Sequence, residues 1–358
     1  MRVLHIASSM PDDWGGIERY VATLSAAQVA MGVDVEVAAW PGSPLSQRLS
    51  VPQVAARVPR KFRWAGLPDY LRLFSSRRYD VVVPHFSPDY DVPLIAARMC
   101  GQCGVVVTRH LAVPLRPARA RSLARLADGF IGVSQAAADS LVASGIDASR
   151  VLAVHGGCVP LVSRRDRSEV RREYGMDGFT VGFFGRLVEE KGIMTAAEAF
   201  RSLPGVHLHV FGDGPLLGEL QSMPHIQVHG KIDQVADAMA AVDAVILPSL
   251  WAEAFSVALL EAMSLGKPIV ASAVGGVPEA VSDRVEALLV PPGQPVAMAA
   301  AVRSLADNAE LSASLGAAAR EKFYASYTPA HMARRLTSAY ADLSPKAPSF
   351  FRGRGGWG

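Results

Sequence analysis

Short apolar runs alternate with longer amphipathic segments along most of this 358-residue chain. Near-continuous apolar runs predict strands covered on both faces, and helical segments between them predict a parallel sheet. In the first half, strands are predicted at 3–7, 35–39, 81–83, 105–108, 130–133 and 151–154, and helices at 17–31, 67–76, 92–99 and 135–144.

The alternation of predicted strands and helices is interrupted at the glycine pair Gly156-Gly157 and then resumes. Later strands are predicted at 181–184, 207–211, 226–229, 244–247, 269–271 and 288–290, and helices at 194–203, 216–223, 235–241, 256–265, 295–307, 311–324 and 329–343. This organisation predicts an α/β protein with two Rossmann-like, doubly wound domains, 1–160 and 161–328, facing each other across a cleft. A tail at 344–358, rich in Pro, Gly and Arg, is predicted to be disordered.

The composition supports two packed domains and gives no sign of a membrane span. Half the residues are hydrophobic and 19% are charged, which excludes global disorder. No apolar run approaches the roughly 18 residues that a transmembrane helix needs. The first residues predict a strand rather than a signal peptide, and three cysteines are too few for a disulfide framework. A cytoplasmic protein is therefore expected.

Positive charge is concentrated in the first domain. Residues 1–160 carry 17 Lys and Arg against 12 Asp and Glu, while the whole chain has a net charge of +3. The basic residues cluster at Arg57, Arg60, Lys61, Arg63, Arg72, Arg77 and Arg78, and at Arg116, Arg119, Arg121 and Arg125. Such clusters are usually solvated helix faces, but they also fit a surface that meets an anionic membrane or an acidic acceptor.

Two carboxylates follow one predicted strand of the second domain. Glu253 lies in the loop after the strand 244–247, and Glu261 lies in the helix that begins near Ser256. The carboxyl edge of a parallel sheet is where open α/β folds bind ligands, and a helix N-terminus favours phosphate. The pair is therefore a candidate for ligand binding or for acid–base chemistry.

Two cations follow the first strand of the same domain. Arg186 and Lys191 flank a turn at that carboxyl edge, where together they can neutralise a diphosphate. They could equally be surface cations at the ends of an ordinary loop.

Three further elements follow strands and are candidates for binding. Gly16 belongs to a glycine pair that precedes a helix and could approach a ligand closely. Gly212 and Gly214 follow the strand 207–211 without completing the spacing GxGxxG, which weakens a dinucleotide interpretation. His110 follows the strand 105–108, and His85 is a weaker candidate of the same kind.

Taken together, these pieces resemble the retaining family 4 glycosyltransferases of the GT-B fold over roughly residues 1–343. The resemblance rests on the order and spacing of Gly15-Gly16-Ile17-Glu18, Thr108-Arg109-His110, Val133-Ser134, Gly185-Arg186-Leu187, Glu190-Lys191-Gly192, Phe211-Gly212-Asp213-Gly214-Pro215, Pro248-Ser249, Glu253-Ala254-Phe255, Glu261-Ala262-Met263, Gly266-Lys267-Pro268 and Gly275-Gly276-Val277-Pro278-Glu279.

The resemblance implies a nucleotide-diphosphate sugar as donor, held mainly by the second domain. Arg186 and Lys191 would bind the diphosphate and stabilise the charge that grows as the nucleotide leaves. The helix-start amides that would assist them are those of Phe255, Ser256 and Val257. In the family a glycine commonly follows the phenylalanine, so the Ser256 side chain here could narrow the phosphate pocket.

The resemblance also implies contacts to the sugars. Glu261 would accept hydrogen bonds from the ribose hydroxyls, Glu253 would contact the donor sugar, and His110 would contact that sugar from the first domain. Gly16 would line the phosphates and the acceptor entry, with Gly212 and Gly214 also at donor-binding positions.

The resemblance further implies that neither a cofactor nor a bound metal is required. The expected partners are the nucleotide-sugar donor and a glycan, lipid-linked or small-molecule acceptor, and no nucleic acid. The basic first domain, rather than the resemblance, suggests peripheral contact with the inner face of an anionic membrane. Two alternatives stay open: a nucleotide-sugar epimerase or other GT-B enzyme, and a nucleotide-sugar binder without activity.

Overall fold

The computed structural model describes residues 1–8, 14–57, 63–101, 103–251 and 253–343. The predicted disordered tail, together with Arg60 and Lys61 of the first basic cluster, lies outside these residues. The chain divides into two compact units. The first contains Met1–Gly157 and the segment that begins at Pro329, and the second is Cys158–Thr328.

The first unit is built on a sheet of seven strands that are all parallel, in the order β3-β2-β1-β4-β5-β6-β7. Their central residues are buried because helices cover both faces. The strands are β1 Arg2–Ala7, β2 Asp34–Ala39, β3 Gln53–Ala55, β4 Val81–Pro84, β5 Gly104–Arg109, β6 Gly129–Gly132 and β7 Val151–Ala153.

Six α-helices connect these strands, and the last helix of the chain joins them. Helix Pro329–Leu343 packs against the first helix of the unit. The connecting helices are α1 Gly16–Ala30, α2 Pro44–Arg48, α3 Leu67–Ser76, α4 Val92–Cys100, α5 Pro117–Leu126 and α6 Gln135–Ala143. Single 3₁₀ turns lie at Arg63–Gly66, Ser87–Tyr90 and Ala148–Arg150.

The second unit has six parallel strands in the order β10-β9-β8-β11-β12-β13. The strands are β8 Phe179–Phe184, β9 Val206–Phe211, β10 Ile226–Gly230, β11 Ala244–Leu247, β12 Ile269–Ser272 and β13 Leu288–Val290. Its helices are α7 Arg167–Glu173, α8 Ile193–Phe200, α9 Leu217–Gln221, α10 Val235–Ala241, α11 Val257–Ser264, α12 Val277–Ala280, α13 Pro295–Asp307 and α14 Ala309–Ser326, with a 3₁₀ turn at Glu189–Lys191. Helix Pro329–Leu343 is α15.

The prediction of two doubly wound parallel sheets is confirmed. Most predicted elements are present within one or two residues, including α3, α10, α13 and α15 at the predicted bounds. The predictions missed the edge strand β3 and the helices α2, α5 and α7. The strand β3 and the helix α2 are short, and β3 carries too little apolar periodicity to stand out from a loop. The helices α5 and α7 are rich in arginine, which weakens their apolar pattern.

Each sheet reverses its strand order once. In the first unit the reversal lies between β1 and β4, and in the second it lies between β8 and β11. Open α/β sheets bind ligands outside the carboxyl ends of the strands at such a switch point. The loops after these four strands are therefore where a site is expected. No helix within the described ranges is long and apolar enough to cross a membrane.

Candidate active site

An ion pair joins the two loops at the switch point of the second sheet. Nζ of Lys191, after β8, donates to Oε2 of Glu253, after β11, at 2.6 Å. The Glu253 side chain is 9% exposed and that of Lys191 is 28% exposed. Two residues separated by 62 positions thus meet because their strands are neighbours in the sheet.

Glu253 is held through one oxygen of its carboxylate. The hydroxyl of Ser249 donates to the same Oε2 at 3.0 Å, and the backbone N–H of Gly276 donates to the Glu253 carbonyl oxygen at 2.8 Å. Among the described residues, Oε1 has no hydrogen-bond partner. This oxygen can therefore accept a hydrogen bond from a ligand hydroxyl.

Two glycines let the loops at this edge approach one another. A Cβ on Gly192 would lie 1.9 Å from the carbonyl oxygen of Pro248, and a Cβ on Gly275 would lie 1.8 Å from that of Glu253. Both glycines also have positive φ, 64° and 58°, which other residues adopt at a cost. The positions of Lys191 and Glu253 therefore depend on backbone contacts that only glycine permits.

Gly212 and Gly214 bring the loop after β9 against the loop after β8. Added Cβ atoms would lie 1.8 Å from the carbonyl oxygen of Gly185 and 2.5 Å from that of Leu187. The N–H of Leu187 also donates to the carbonyl oxygen of Asp213 at 2.8 Å. These glycines shape the loop that carries Arg186, in addition to the donor-binding positions predicted for them.

Helix α11 begins at this edge, as the sequence predicts. Ser256 is its N-cap residue, and its hydroxyl accepts the N–H of Leu259 at 3.4 Å. The ring of Phe255 packs on Tyr327, with centroids 5.6 Å apart. Val257 opens the helix, and Glu261 is buried in it, one turn further on. Free N–H groups at such a start attract phosphate.

Arg186 lies on the same loop as Lys191 but is far more exposed. Its side chain is 69% accessible, and its guanidinium is 3.9 Å from the carboxylate of Glu190. An exposed pair at that distance contributes little to stability, so the side chain can turn toward an anion.

In the first unit, the turn after β1 leads into α1. Gly16 is the first residue of the helix and is exposed. The carboxylate of Glu18 accepts the N–H of Gly15 at 2.9 Å, which satisfies one backbone donor at the helix N-terminus. The start of α1 and the glycine pair therefore lie at the switch point of the first sheet.

His110 is one end of a hydrogen-bonded chain in the first unit. Its Nε2 lies 3.1 Å from Nδ1 of His85, and Nε2 of His85 lies 3.0 Å from Nδ1 of His5. Nε2 of His5 lies 2.7 Å from Oε1 of Gln28, whose Nε2 donates to Oγ1 of Thr337 at 3.0 Å. The chain runs from the residues that directly follow β5 and β4 to His5 in β1, and from there to α1 and α15.

All three histidines of this chain are held neutral. Burial lowers the pKa of His5 to about 4, against the raising effect of its bond to Gln28. Burial, with the charge of Arg109, lowers the pKa of His110 to about 3. Burial, with its two histidine neighbours, lowers the pKa of His85 well below the ordinary value. The chain therefore carries no charge near neutral pH.

Stability is expected to fall steeply with acid because of these histidines. Unfolded histidines bind protons below about pH 6.5, whereas the native ones stay neutral, so the free energy of unfolding decreases as pH falls from 7 to 5. We expect a loss of about 2 kcal/mol for each histidine at pH 5. Urea unfolding at a series of pH values measures the slope. His5→Gln should reduce that slope by about one proton, and an unchanged slope would contradict the explanation.

The structure thus gathers the predicted residues of the second unit at one sheet edge, and in the first unit it places Gly16 after β1 and His110 after β5, at the carboxyl edge of that sheet. The sequence interpretation named Ser249 only as part of a family motif without a role, and it gave no role to His5, Gln28 or Thr337. The signal for His5 was available: it is a polar residue inside an apolar strand, which requires buried partners. Within the described ranges, no cluster of three His, Cys, Asp or Glu could hold a metal ion.

Two family models match the chain. The model described as Glycosyltransferase Family 4 matches residues 14–160, and that described as Glycosyl transferases group 1 matches residues 178–308. The first range begins at the turn between β1 and α1, and the second range contains β8, β11 and the loops that carry Lys191 and Glu253.

Relatives of known name agree with these models. A D-inositol 3-phosphate glycosyltransferase of Catenulispora acidiphila is 30% identical over 350 residues, covering 83% of each chain. An enzyme of the same name from Mycobacteroides abscessus is 33% identical over 183 residues, which is 46% of this chain and 41% of the relative.

Solved structures share the fold over nearly the whole chain. Anabaena HepE in complex with UDP-glucose superposes with a TM-score of 0.83 at 21% identity, covering 96% of this chain and 100% of HepE. WaaG, a glycosyltransferase involved in lipopolysaccharide biosynthesis, superposes with a TM-score of 0.68 at 16% identity, covering 96% of this chain and 100% of WaaG.

Proposed function

Since the chain belongs to the family 4 glycosyltransferases of the GT-B fold, we propose that it transfers a hexose-type sugar, with retention, from a nucleotide-diphosphate donor. The acceptor is a hydroxyl of a glycan, a lipid-linked sugar or a small molecule. The observation that carries the proposal is the pair of Lys191 and Glu253 at the switch point of the second sheet.

The diphosphate lies at the loop after β8 and the start of α11. Lys191 offers a positive charge that its carboxylate partner already fixes in place, and the exposed Arg186 can turn toward the same anion. The amides of Phe255, Ser256 and Val257 add hydrogen bonds and the helix dipole. These groups stabilise the charge that develops on the leaving phosphate.

The sugars of the donor contact the two carboxylates. Oε1 of Glu253 accepts a hydroxyl of the transferred sugar while Oε2 stays with Lys191 and Ser249. Glu261, buried in α11, accepts the ribose hydroxyls. Because Glu253 is already engaged by a cation, it serves as a positioning group, and the leaving phosphate takes the proton of the acceptor hydroxyl as the new bond forms on the same face.

A donor screen tests the proposal. Uridine and guanosine diphosphate sugars are tried first, the former because HepE shares the fold and is in complex with UDP-glucose. A donor that binds the native state raises the apparent melting temperature. Release of nucleotide with an acceptor then shows transfer, and the anomeric proton coupling of the product shows retention. An inverted product, or sugar conversion with no acceptor, would contradict the proposal.

Glu261→Gln should raise the KM for the donor by roughly 5- to 30-fold, because a neutral amide replaces a charged acceptor at the ribose. A donor with a 2′-deoxyribose should have a higher KM in the wild type than the donor with an intact ribose. In Glu261→Gln, the same change of donor should raise KM little further. Steady-state kinetics with both donors measures this coupling. Glu286→Gln, which changes another buried carboxylate of the unit, serves as the control. An equal rise in KM for both donors in both variants would exclude the role of Glu261 as acceptor for the ribose hydroxyls.

The acceptor belongs to cell-envelope polysaccharide or glycoconjugate synthesis, and the basic first unit holds the chain at an anionic surface. Part of that charge is presented by exposed arginines in and next to α5: Arg116, Arg121 and Arg125. Sedimentation with anionic vesicles at low and high salt tests the contact, because electrostatic binding weakens with salt. Binding absent at both salt concentrations removes this part of the proposal.

A further inference from the structure

We propose that Thr337, Gln28, His5 and His85 are positioning residues that hold His110 in one neutral tautomer, with its proton on Nε2 and its Nδ1 as a hydrogen-bond acceptor for a substrate hydroxyl. The inference deepens the proposed function and rests on it only for the identity of the substrate. The chain of hydrogen bonds itself is a property of the first unit alone.

The direction of the chain is set at its far end. The amide nitrogen of Gln28 donates to the hydroxyl oxygen of Thr337 on α15 at 3.0 Å, and Oε1 of the same amide faces Nε2 of His5 at 2.7 Å. A carbonyl oxygen can only accept, so Nε2 of His5 must carry a proton. Because the imidazole of His5 is neutral, its Nδ1 is then an acceptor.

The same argument assigns the protons of His85 and His110. Nδ1 of His5, as an acceptor, requires a proton on Nε2 of His85, 3.0 Å away. His85 is neutral as well, so its Nδ1 accepts from Nε2 of His110 at 3.1 Å. His110 is left with Nδ1 as its only acceptor, and among the described residues nothing donates to that nitrogen.

Aromatic rings seal this chain from water. Tyr20 packs edge-on against His110 with centroids 4.7 Å apart and also contacts His85 at 5.8 Å, while Tyr340 lies 6.1 Å from His5. His5 and His85 are at most 1% exposed, whereas His110 is only partly buried. Water cannot supply alternative partners to the inner links, so a reversed tautomer would leave buried groups unsatisfied.

The neutral imidazole of His110, with Nδ1 as an acceptor, can hydrogen-bond only to some substrate groups. It accepts a hydrogen bond from a hydroxyl, but it offers nothing to a phosphate or carboxylate, which can only accept at neutral pH. The group that contacts Nδ1 of His110 is therefore a hydroxyl of a sugar, not the diphosphate of the donor.

Nitrogen-15 NMR of histidine-labelled protein reads the tautomer without any substrate. His110, assigned from a His110→Gln variant, should show its proton on Nε2. Gln28→Met removes the acceptor for His5, and the chain should then reverse, so that His110 carries its proton on Nδ1. The pair His209 and His229 in the second unit, with ring nitrogens 2.9 Å apart, should keep its signals and thus reports that the protein remains folded. A wild-type proton on Nδ1 of His110 would overturn the inference.

Thr337 offers a matched pair of variants. Thr337→Ser keeps the oxygen that orients the Gln28 amide and should keep both the His110 spectrum and activity. Thr337→Val removes it, and His110 should then show both tautomers, with kcat/KM reduced in proportion to the lost fraction. Equal spectra for the two variants would show that the amide does not set the direction.

The substrate contact has its own test. Donor analogues with single hydroxyls replaced by fluorine, which cannot donate, should include one whose kcat/KM falls about 10-fold or more in the wild type and falls little further in Gln28→Met. If every analogue lowers kcat/KM equally in the wild type and in Gln28→Met, the contact between His110 and a substrate hydroxyl is excluded, even when the NMR result holds. If no nucleotide sugar binds at all, the proposed function fails while the tautomer assignment stands.

Discussion

Lys191→Met is expected to lower kcat/KM for the nucleotide-sugar donor by about 10²–10³-fold. The lysine is fixed by Glu253 at 2.6 Å, so its charge is positioned before the diphosphate arrives. Removing it forfeits stabilisation of the leaving phosphate and also leaves a buried carboxylate without its cation. Initial-rate measurements of nucleotide release over a range of donor concentrations give the value.

A second ion pair of nearly equal burial provides the control. Lys322 is also 28% exposed, and its Nζ lies 3.2 Å from a carboxylate oxygen of Glu286, which is 11% exposed. Glu286 precedes β13, at the edge of the sheet opposite the candidate site. Lys322→Met should therefore lower stability to a similar degree and change kcat/KM by less than about threefold. Similar kinetic losses in both variants would attribute the effect of Lys191 to folding rather than to the diphosphate.

Gly275→Ala is expected to reduce the free energy of unfolding by about 2–4 kcal/mol and to reduce kcat/KM at least about 10-fold. Its methyl group would lie 1.8 Å from the carbonyl oxygen of Glu253, so the loop that carries Glu253 must move. Displacing a catalytic loop by about 1 Å is enough to cost two orders of magnitude in rate. Urea unfolding and steady-state kinetics measure the two losses.

Gly205→Ala separates the backbone strain from the steric clash. Gly205 has a φ of 74°, close to that of Gly275, but an added Cβ would have no atom within 4 Å. It should cost about 1 kcal/mol and leave kcat/KM unchanged. Equal effects of the two substitutions would mean that the contact with Glu253 does not hold the loop.

The candidate site could be predicted in part because its residues follow strands. Arg186, Lys191, Glu253 and His110 each come shortly after an apolar run, and parallel strands place such residues at one edge of a sheet. Their contacts could not be predicted in this way. That Lys191 binds Glu253 depends on the adjacency of β8 and β11, and that Ser249 donates to the same carboxylate oxygen depends on how the loop after β11 folds.

The histidine chain shows more clearly which contacts could not be predicted from the sequence. His85 and His110 were visible as residues after strands, but Gln28 and Thr337 lie in helices whose apolar pattern gives no hint of a polar partner. The link between them spans 309 positions of sequence.

The sequence alone determined the two parallel sheets, the positions of most helices and strands, and the family, because apolar periodicity and residues at strand ends are local signals. Only the tertiary structure decided which charged and polar side chains meet. Strand order brings Lys191 to Glu253, and the packing of α15 on α1 brings Thr337 to Gln28. Such pairings follow from burial, since a buried polar group must find its partner wherever the fold places it, whatever their separation along the chain.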